Sequence, residues 1–436
     1  WEGETVTNVK LPVDVVDSKI LVNQARFDYG GGKIAINGSY EPKSGAVLAI
    51  ADMNQVAITR GQFAQKPLTL AGSFGVQGTA SKDKVNVNVV ANTLQLTWQQ
   101  IVMQVLDFDA DITKDGYKLT NFSARAGAQG NLALSGAGTF AGALDFKGRL
   151  SDFPLAPFLA AAGQDGSGYA SGDFKVSGTK DNLNFDGMTQ LQQLQYGKVQ
   201  IAEAHGLLHM RDSILDIHDY QVHMGGGTHV VNGTLNLQGS TPLADLTVRT
   251  EKVRAESLVA ATGKDIQLTG NVDNEVHLVG SLDHPHVNGT VALTDGSAYG
   301  YLVDKAAGTY AYDDGALKLD NFVVNALSTT VTLNGTMDRA QNLDFAAQAD
   351  NVDLEKLPVK DEQVALTGFV SAQGTLKGTL QQPLFSGKVK SKTFTVNGQE
   401  IDSLDGSLIT NGKDINKLVA TAEQKSTDSF SGLYAF

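Results

Sequence analysis

The chain is 436 residues long, contains no cysteine and carries a net charge of −13 with a pI near 5.0. It shows no basic stripe of the kind a phosphate backbone requires, so nucleic acid is excluded as an expected partner and anionic membrane surfaces are disfavoured. The absence of thiols removes disulfides and thiolate metal sites and is compatible with a periplasm or a cytosol.

Glycine supplies 47 residues, charged residues only 19%, and short apolar runs are separated by Thr, Asn, Asp and Gly, which reads as an all-β chain. No stretch of eighteen or more apolar residues occurs, and the start at Trp1 has neither Met nor a signal-like segment. The expectation is a soluble piece of a longer protein.

In chain order, the first clear strand alternates from Lys33, with Ile34, Ile36, Gly38 and Tyr40 on one side and Asn37 and Ser39 on the other. The motif that ends at Gly38 returns at Gly136, Gly233, Gly335 and Gly432, at intervals of 98, 97, 102 and 97 residues. A second glycine series (Gly72, Gly172, Gly270, Gly368) and a turn series (Gly116, Ser213, Gly315, Gly412) keep step with it. Such a period identifies a repeat array stabilised largely by neighbouring units. The expected intervals are a partial repeat at 1–67, repeats at 68–165, 166–265 and 266–363, and a partial repeat at 364–436.

The later equivalents of the first apolar face are Leu132 and Leu134, Val231 and Leu235, and Val331 and Leu333. The following strand is expected to add Leu48 and Ile50, Leu144 and Phe146, Leu246 and Val248, and Leu343 and Phe345 to the same apolar side. One dry and one wet face indicate antiparallel sheet joined by short turns. Helical spacing follows at 154–163, 254–263 and 353–358, marking the hand-over between repeats.

Leaving such a face in water forgoes roughly 1.5 to 3 kcal/mol per large apolar side chain, so it must meet something apolar. Either each unit closes as a β-sandwich or the sheet curls around a shared apolar interior. The sandwich is the common solution for units of this size, but Trp occurs only at positions 1 and 98, in no repeated core position. The kept face favours the curled sheet, lined by the sixteen residues named above. A sandwich array would instead suit an adhesin or stalk that binds a protein or glycan.

The glycine-punctuated segments at 268–293 and 366–391, with Pro285 and Pro383 98 residues apart, are followed in the array by LNGT, LDF and DLEKL. This pattern resembles AsmA-like proteins, with the TamB-type subunit of the translocation and assembly module the nearest likeness. The resemblance implies an elongated β-taco with a hydrophobic groove that conducts phospholipids between the inner and outer membranes of a diderm bacterium and assists outer-membrane assembly. It also implies an inner-membrane anchor outside this segment and a BamA-type, TamA-like barrel as partner. Phospholipid acyl chains are the expected cargo, and no cofactor is expected.

Motifs for other chemistry are weaker. The GGG runs at 30–32 and 225–227 recur at one repeat position and lack the Lys-Ser/Thr of a phosphate loop, favouring bulges or close backbone approach. His205, His209, His218, His223 and His229 lie close in sequence, as do His284 and His286, but in non-helical context and without repetition, so rim histidines outweigh a metal site. Asp107, Asp109 and Asp111 lack the Gly and Glu of a calcium loop and read as an outward strand row. Neither a GxSxG elbow nor HExxH is present, and no enzyme activity is expected. The sequons at 37, 232, 288 and 334 coincide with strand landmarks and report geometry first.

Overall fold

A computed structural model describes residues 5–59, 66–91, 93–161, 163, 165–179, 182–196, 199–239, 241–262, 266–281, 284–298, 300–356, 365–379, 381–410, 415–423 and 430–434. The chain divides into two compact units, Trp1–Val222 and His223–Phe436.

The first unit contains β1 (Thr7–Lys10), β2 (Val13–Val16), β3 (Lys19–Tyr29), β4 (Gly32–Glu41), β5 (Ala46–Ile58), β6 (Leu68–Ala80), β7 (Val85–Ala91), β8 (Leu94–Trp98) and β9 (Ile101–Thr113). It continues with β10 (Gly116–Ala126), β11 (Gly130–Thr139), β12 (Ala143–Pro154), α1 (Ala156–Ala161), β13 (Gly166–Thr179), β14 (Asn182–Tyr196) and β15 (Val199–Arg211). Strand β16 (Ile214–Met224) runs across the division.

The second unit holds β17 (Gly227–Asn236), β18 (Leu243–Arg254), α2 (Ala255–Thr262), β19 (Leu268–Ser281), β20 (His284–Ala298), β21 (Tyr301–Asp313), β22 (Ala316–Ala326), β23 (Thr329–Met337) and β24 (Asn342–Asp353). A 3-10 turn at Leu354–Lys356 precedes β25 (Leu366–Thr379), β26 (Pro383–Val396), β27 (Gln399–Ile401), β28 (Ser403–Thr410), β29 (Ile415–Glu423) and β30 (Phe430–Tyr434).

Within each unit the strands form an antiparallel meander in which sequence neighbours pair. Strands β7 and β8 are one interrupted pass between β6 and β9. Each of the intervals 68–165, 166–265 and 266–363 therefore contains six passes and a closing helical turn. The helical segments fall inside the stretches expected from sequence, the first two of which are rich in Ala and Leu; residues 162, 263, 357 and 358 of those stretches, and the landmark Gly412, lie outside the described residues.

The period has a steric basis. Gly136, Gly233 and Gly335 adopt φ of 153°, 126° and 150°, and a Cβ on them would lie 2.2, 2.1 and 2.2 Å from the carbonyl oxygens of Asp145, Asp245 and Asp344. Only glycine lets the next strand approach there.

Bulges interrupt β5 after Met53, β12 after Leu150, β18 after Thr250 and β24 after Ala349, at one repeat position. Their extra residues Gln55, Asp152, Lys252 and Asn351 have positive φ. Neighbouring side chains satisfy the freed amides: Asp273 Oδ1 accepts the Lys252 N–H at 2.8 Å and Ser171 Oγ the Asp152 N–H at 2.9 Å. The sequon residues Asn37 and Asn334 perform the same task for Gln24 and Asn321 at 2.8 and 2.7 Å. A bulge bends its strand and increases local twist, so a line of bulges curls the sheet.

Beyond that line the strand ends are packed tightly. Val105 and Val253 are completely buried, and α2 contributes Ala255 and Leu258 to a cluster with Val272, Leu293, Val303 and Ala306. The rest of the sheet is far more open.

Candidate functional site: the apolar face of the sheet

Strand register places most of the expected lining residues together. In the first unit Leu132 opposes Leu150, Leu134 opposes Gly148, Gly136 opposes Phe146 and Gly138 opposes Leu144. Onward along the ladder, Phe146 meets Val176, which meets Phe185 and then Met210; Gly148 meets Phe174, Gly187 and Leu208. Ile34 and Ile36 lie on the equivalent face of β4, opposite Met53 and Ala51.

In the second unit Val231 opposes Val248, Gly233 opposes Leu246 and Leu235 opposes Ala244. Later in the same unit Val331 opposes Ala349, Leu333 opposes Ala347, Gly335 opposes Phe345 and Met337 opposes Leu343. The row through Gly335 and Phe345 continues to Leu376 and Phe385.

Leu48 and Ile50 are the exception and correct the sequence reading. They pair with Ser39 and Asn37, so they point to the opposite, polar face, where they are 60% and 53% exposed. The inner positions of β5 are Val47, Ala49, Ala51 and Met53. Both alternating sets of β5 are apolar, so side-chain pattern did not determine its face; the pairing with β4 does, and a one-residue slip turns every side chain over.

The apolar face also has a feature that sequence reading missed: large rings lie across glycines of the next strand. A Cβ on Gly148 would stand 2.4 Å from Phe174 Cζ, one on Gly138 2.6 Å from Tyr117 Cζ and one on Gly206 2.6 Å from Tyr220 Cδ2. The rings fill the gaps while the missing side chains keep the apolar face from overcrowding. Cross-strand Gly–aromatic pairing was the available signal, but it needs the register to be seen.

Leu132, Leu134, Leu144, Phe146, Val231, Leu235, Leu246, Val248, Val331, Leu333 and Ile36 are partly buried, whereas Ile34, Leu343 and Phe345 are buried. The named ladder rows of this face contain no Lys, Arg, Asp or Glu.

Charges lie on the other face. Arg149 forms a bidentate pair with Asp173 at 2.6 and 2.9 Å, and Arg211 and His209 both bond Asp186; these hydrogen bonds hold both carboxyls below the ordinary carboxylate value. The Asn88 amide donates to Asp109 at 2.6 Å and Asp111 at 3.1 Å, and Asn121 donates to Asp107. The acidic row is thus tied into the sheet as cross-strand polar pairs.

The histidines are dispersed among separate partners: His209 with Asp186, His218 with Asp216 at 3.1 Å, His223 with Thr228 at 3.2 Å and His229 with Thr250 at 2.9 Å. Among the described residues no three His, Cys, Asp or Glu side chains cluster as a metal site. The GGG runs make hairpin turns, and a Cβ on Gly32 or Gly227 would meet carbonyl oxygens of the adjacent strand at 2.4 and 2.5 Å. No described helix is long and apolar enough to cross a membrane.

Fold and site together define an all-β antiparallel repeat protein in each of whose two units one face of the sheet is charged and the other is apolar and glycine-studded. No family model matches the chain, and neither does any curated protein.

Proposed function

We propose that the protein is a lipid conduit, in which the apolar face of each unit carries phospholipid acyl chains while the charged face stays in water. The observation that carries this reading is the persistence, strand after strand, of inner rows made mostly of apolar residues and glycine, most of whose large side chains are only partly buried. Moving a tail through water costs about 0.8 kcal/mol per methylene, so a lined path removes a barrier on the order of 10 kcal/mol. The lining acts by solvation and requires no catalytic group.

The resemblance to AsmA-like proteins supports a periplasmic setting in a diderm envelope. In this reading phospholipids pass between inner and outer membranes, with an anchor and a BamA-type barrel as the flanking partners. Direct support would come from lipid mass spectrometry of the purified protein and from transfer between donor and acceptor vesicles. Leu333→Asp is expected to abolish transfer and leave the fold largely intact, because Leu333 retains solvent access. Cooperative unfolding of that variant, or a wild-type chain that carries no lipid, contradicts the conduit.

A further inference from the structure

We propose that Asn274 and Tyr310 form a hydrogen-bonding station on the apolar face of the second unit that receives the ester oxygens of a glycerolipid. The inference rests on the conduit reading and specifies its cargo. Asn274 belongs to the inner set of β19: it opposes Thr250 and Val291, while its neighbours in that set, Val272 and Val276, oppose Val253 and Leu293, and Val248 and Gly289. Tyr310 opposes Gly289 on one side and Leu319 on the other. The tyrosine ring lies over Gly289, where a Cβ would come within 3.2 Å of it, and so reaches across a whole strand to Asn274.

Among the described residues three polar pairs interrupt the apolar rows, and they differ in openness. Thr189 and Tyr220 are joined at 3.0 Å with Tyr220 buried, and burial raises that phenol's pKa. His229 and Thr250 are joined at 2.9 Å and both are buried. These two pairs are short and closed. Asn274 and Tyr310 are only partly buried, and their mutual contacts are long, 3.3 Å from the amide nitrogen to the phenol oxygen and 3.4 Å from the phenol to the amide oxygen. Both groups retain hydrogen-bonding capacity, and a long contact yields readily to a better acceptor.

The station's chemistry selects its ligand. An amide and a phenol are neutral donors, and the rows around them carry no cation. A phosphate would call for Arg or Lys, whereas an ester carbonyl requires neutral donors. Ester carbonyls are also the polar groups nearest the acyl chains of a glycerolipid, so they reach this face when the tails lie along Val276, Leu278 and Val287.

The test compares purified full-length chain binding ester-linked and ether-linked phosphatidylglycerol of equal chain length, since the ether lacks the carbonyl, with pyrene-labelled palmitate as a single-chain control. The wild type is expected to prefer the ester by about three- to tenfold. Tyr310→Phe, which keeps the ring over Gly289, and Asn274→Leu are expected to erase that preference while leaving ether-lipid and palmitate binding unchanged. Should Asn274→Leu misfold, Tyr310→Phe alone decides, with its melting curve as control. Equal wild-type affinity for ester and ether, or a preference that survives Tyr310→Phe, overturns the station and leaves the conduit standing. Failure of the wild type to bind any of the three probes overturns both.

Discussion

The strand ends beyond the bulge line and the apolar face before it are made from the same residue types, yet they are packed differently. Val105, Phe153 and Val253 are buried under bulged strands and helical segments, and the Phe153 ring packs at a tilt against Phe158 of α1, with 5.4 Å between centroids. Leu134, Phe146, Leu246 and Leu333 face the same side but keep partial contact with solvent. The difference lies in what covers them: helices and bends close one region, and glycines thin out the other. The first region maintains the fold, and the second is available for an apolar ligand.

Changes at the two regions should therefore separate. The largest loss of stability is expected from Phe153→Ala, about 3–5 kcal/mol as for other buried aromatic truncations, read from denaturant unfolding. Next comes Gly335→Ala, whose Cβ would sit 2.2 Å from the Asp344 carbonyl at φ of 150°. It should cost about 1–3 kcal/mol, because the strands must separate or the backbone must shift. An unchanged midpoint for Gly335→Ala would mean that the repeat period has a cause other than strand approach.

Acidification provides a smaller effect with a defined sign. Burial lowers the His229 pKa below its ordinary 6.5, so the folded state favours the neutral ring. Its stabilising contribution is present above pH 6.5 and is lost as pH falls from there through the lower folded value, because the unfolded chain binds the proton more readily. His229→Gln should flatten the stability profile over that window, as followed by urea unfolding at a series of pH values. An identical slope in wild type and variant would remove His229 from the account. Smallest of all, Ile50→Ser should change stability by less than about 0.5 kcal/mol, since the side chain points outward into solvent.

Much of the fold was legible in the sequence because its devices recur. Glycines that permit strand approach and short hand-over segments of helical spacing repeat about every 98 residues, and period is easier to detect than any single element. The face of β5 was not legible, since Leu48 and Ile50 alternate with equally apolar Val47, Ala49 and Met53. The bulges were also hidden: Gln55, Asp152 and Lys252 look like ordinary polar strand residues, and their positive φ arises from pairing between strands. For the same reason Asn274 and Tyr310, thirty-six positions apart, meet only once the register has folded Gly289 between them.

The central claim is that the inner face, and not the outer one, touches lipid. Its most direct test is photo-crosslinking in diderm cells with a benzophenone amino acid placed at the partly buried Phe146, Leu246 and Leu333 inside and at Leu48 and Ile50 outside. Lipid adducts are expected at the three inner positions and none at the outer two. Adducts at Leu48 and Ile50 with none at the inner positions, or no lipid adduct anywhere, would contradict it.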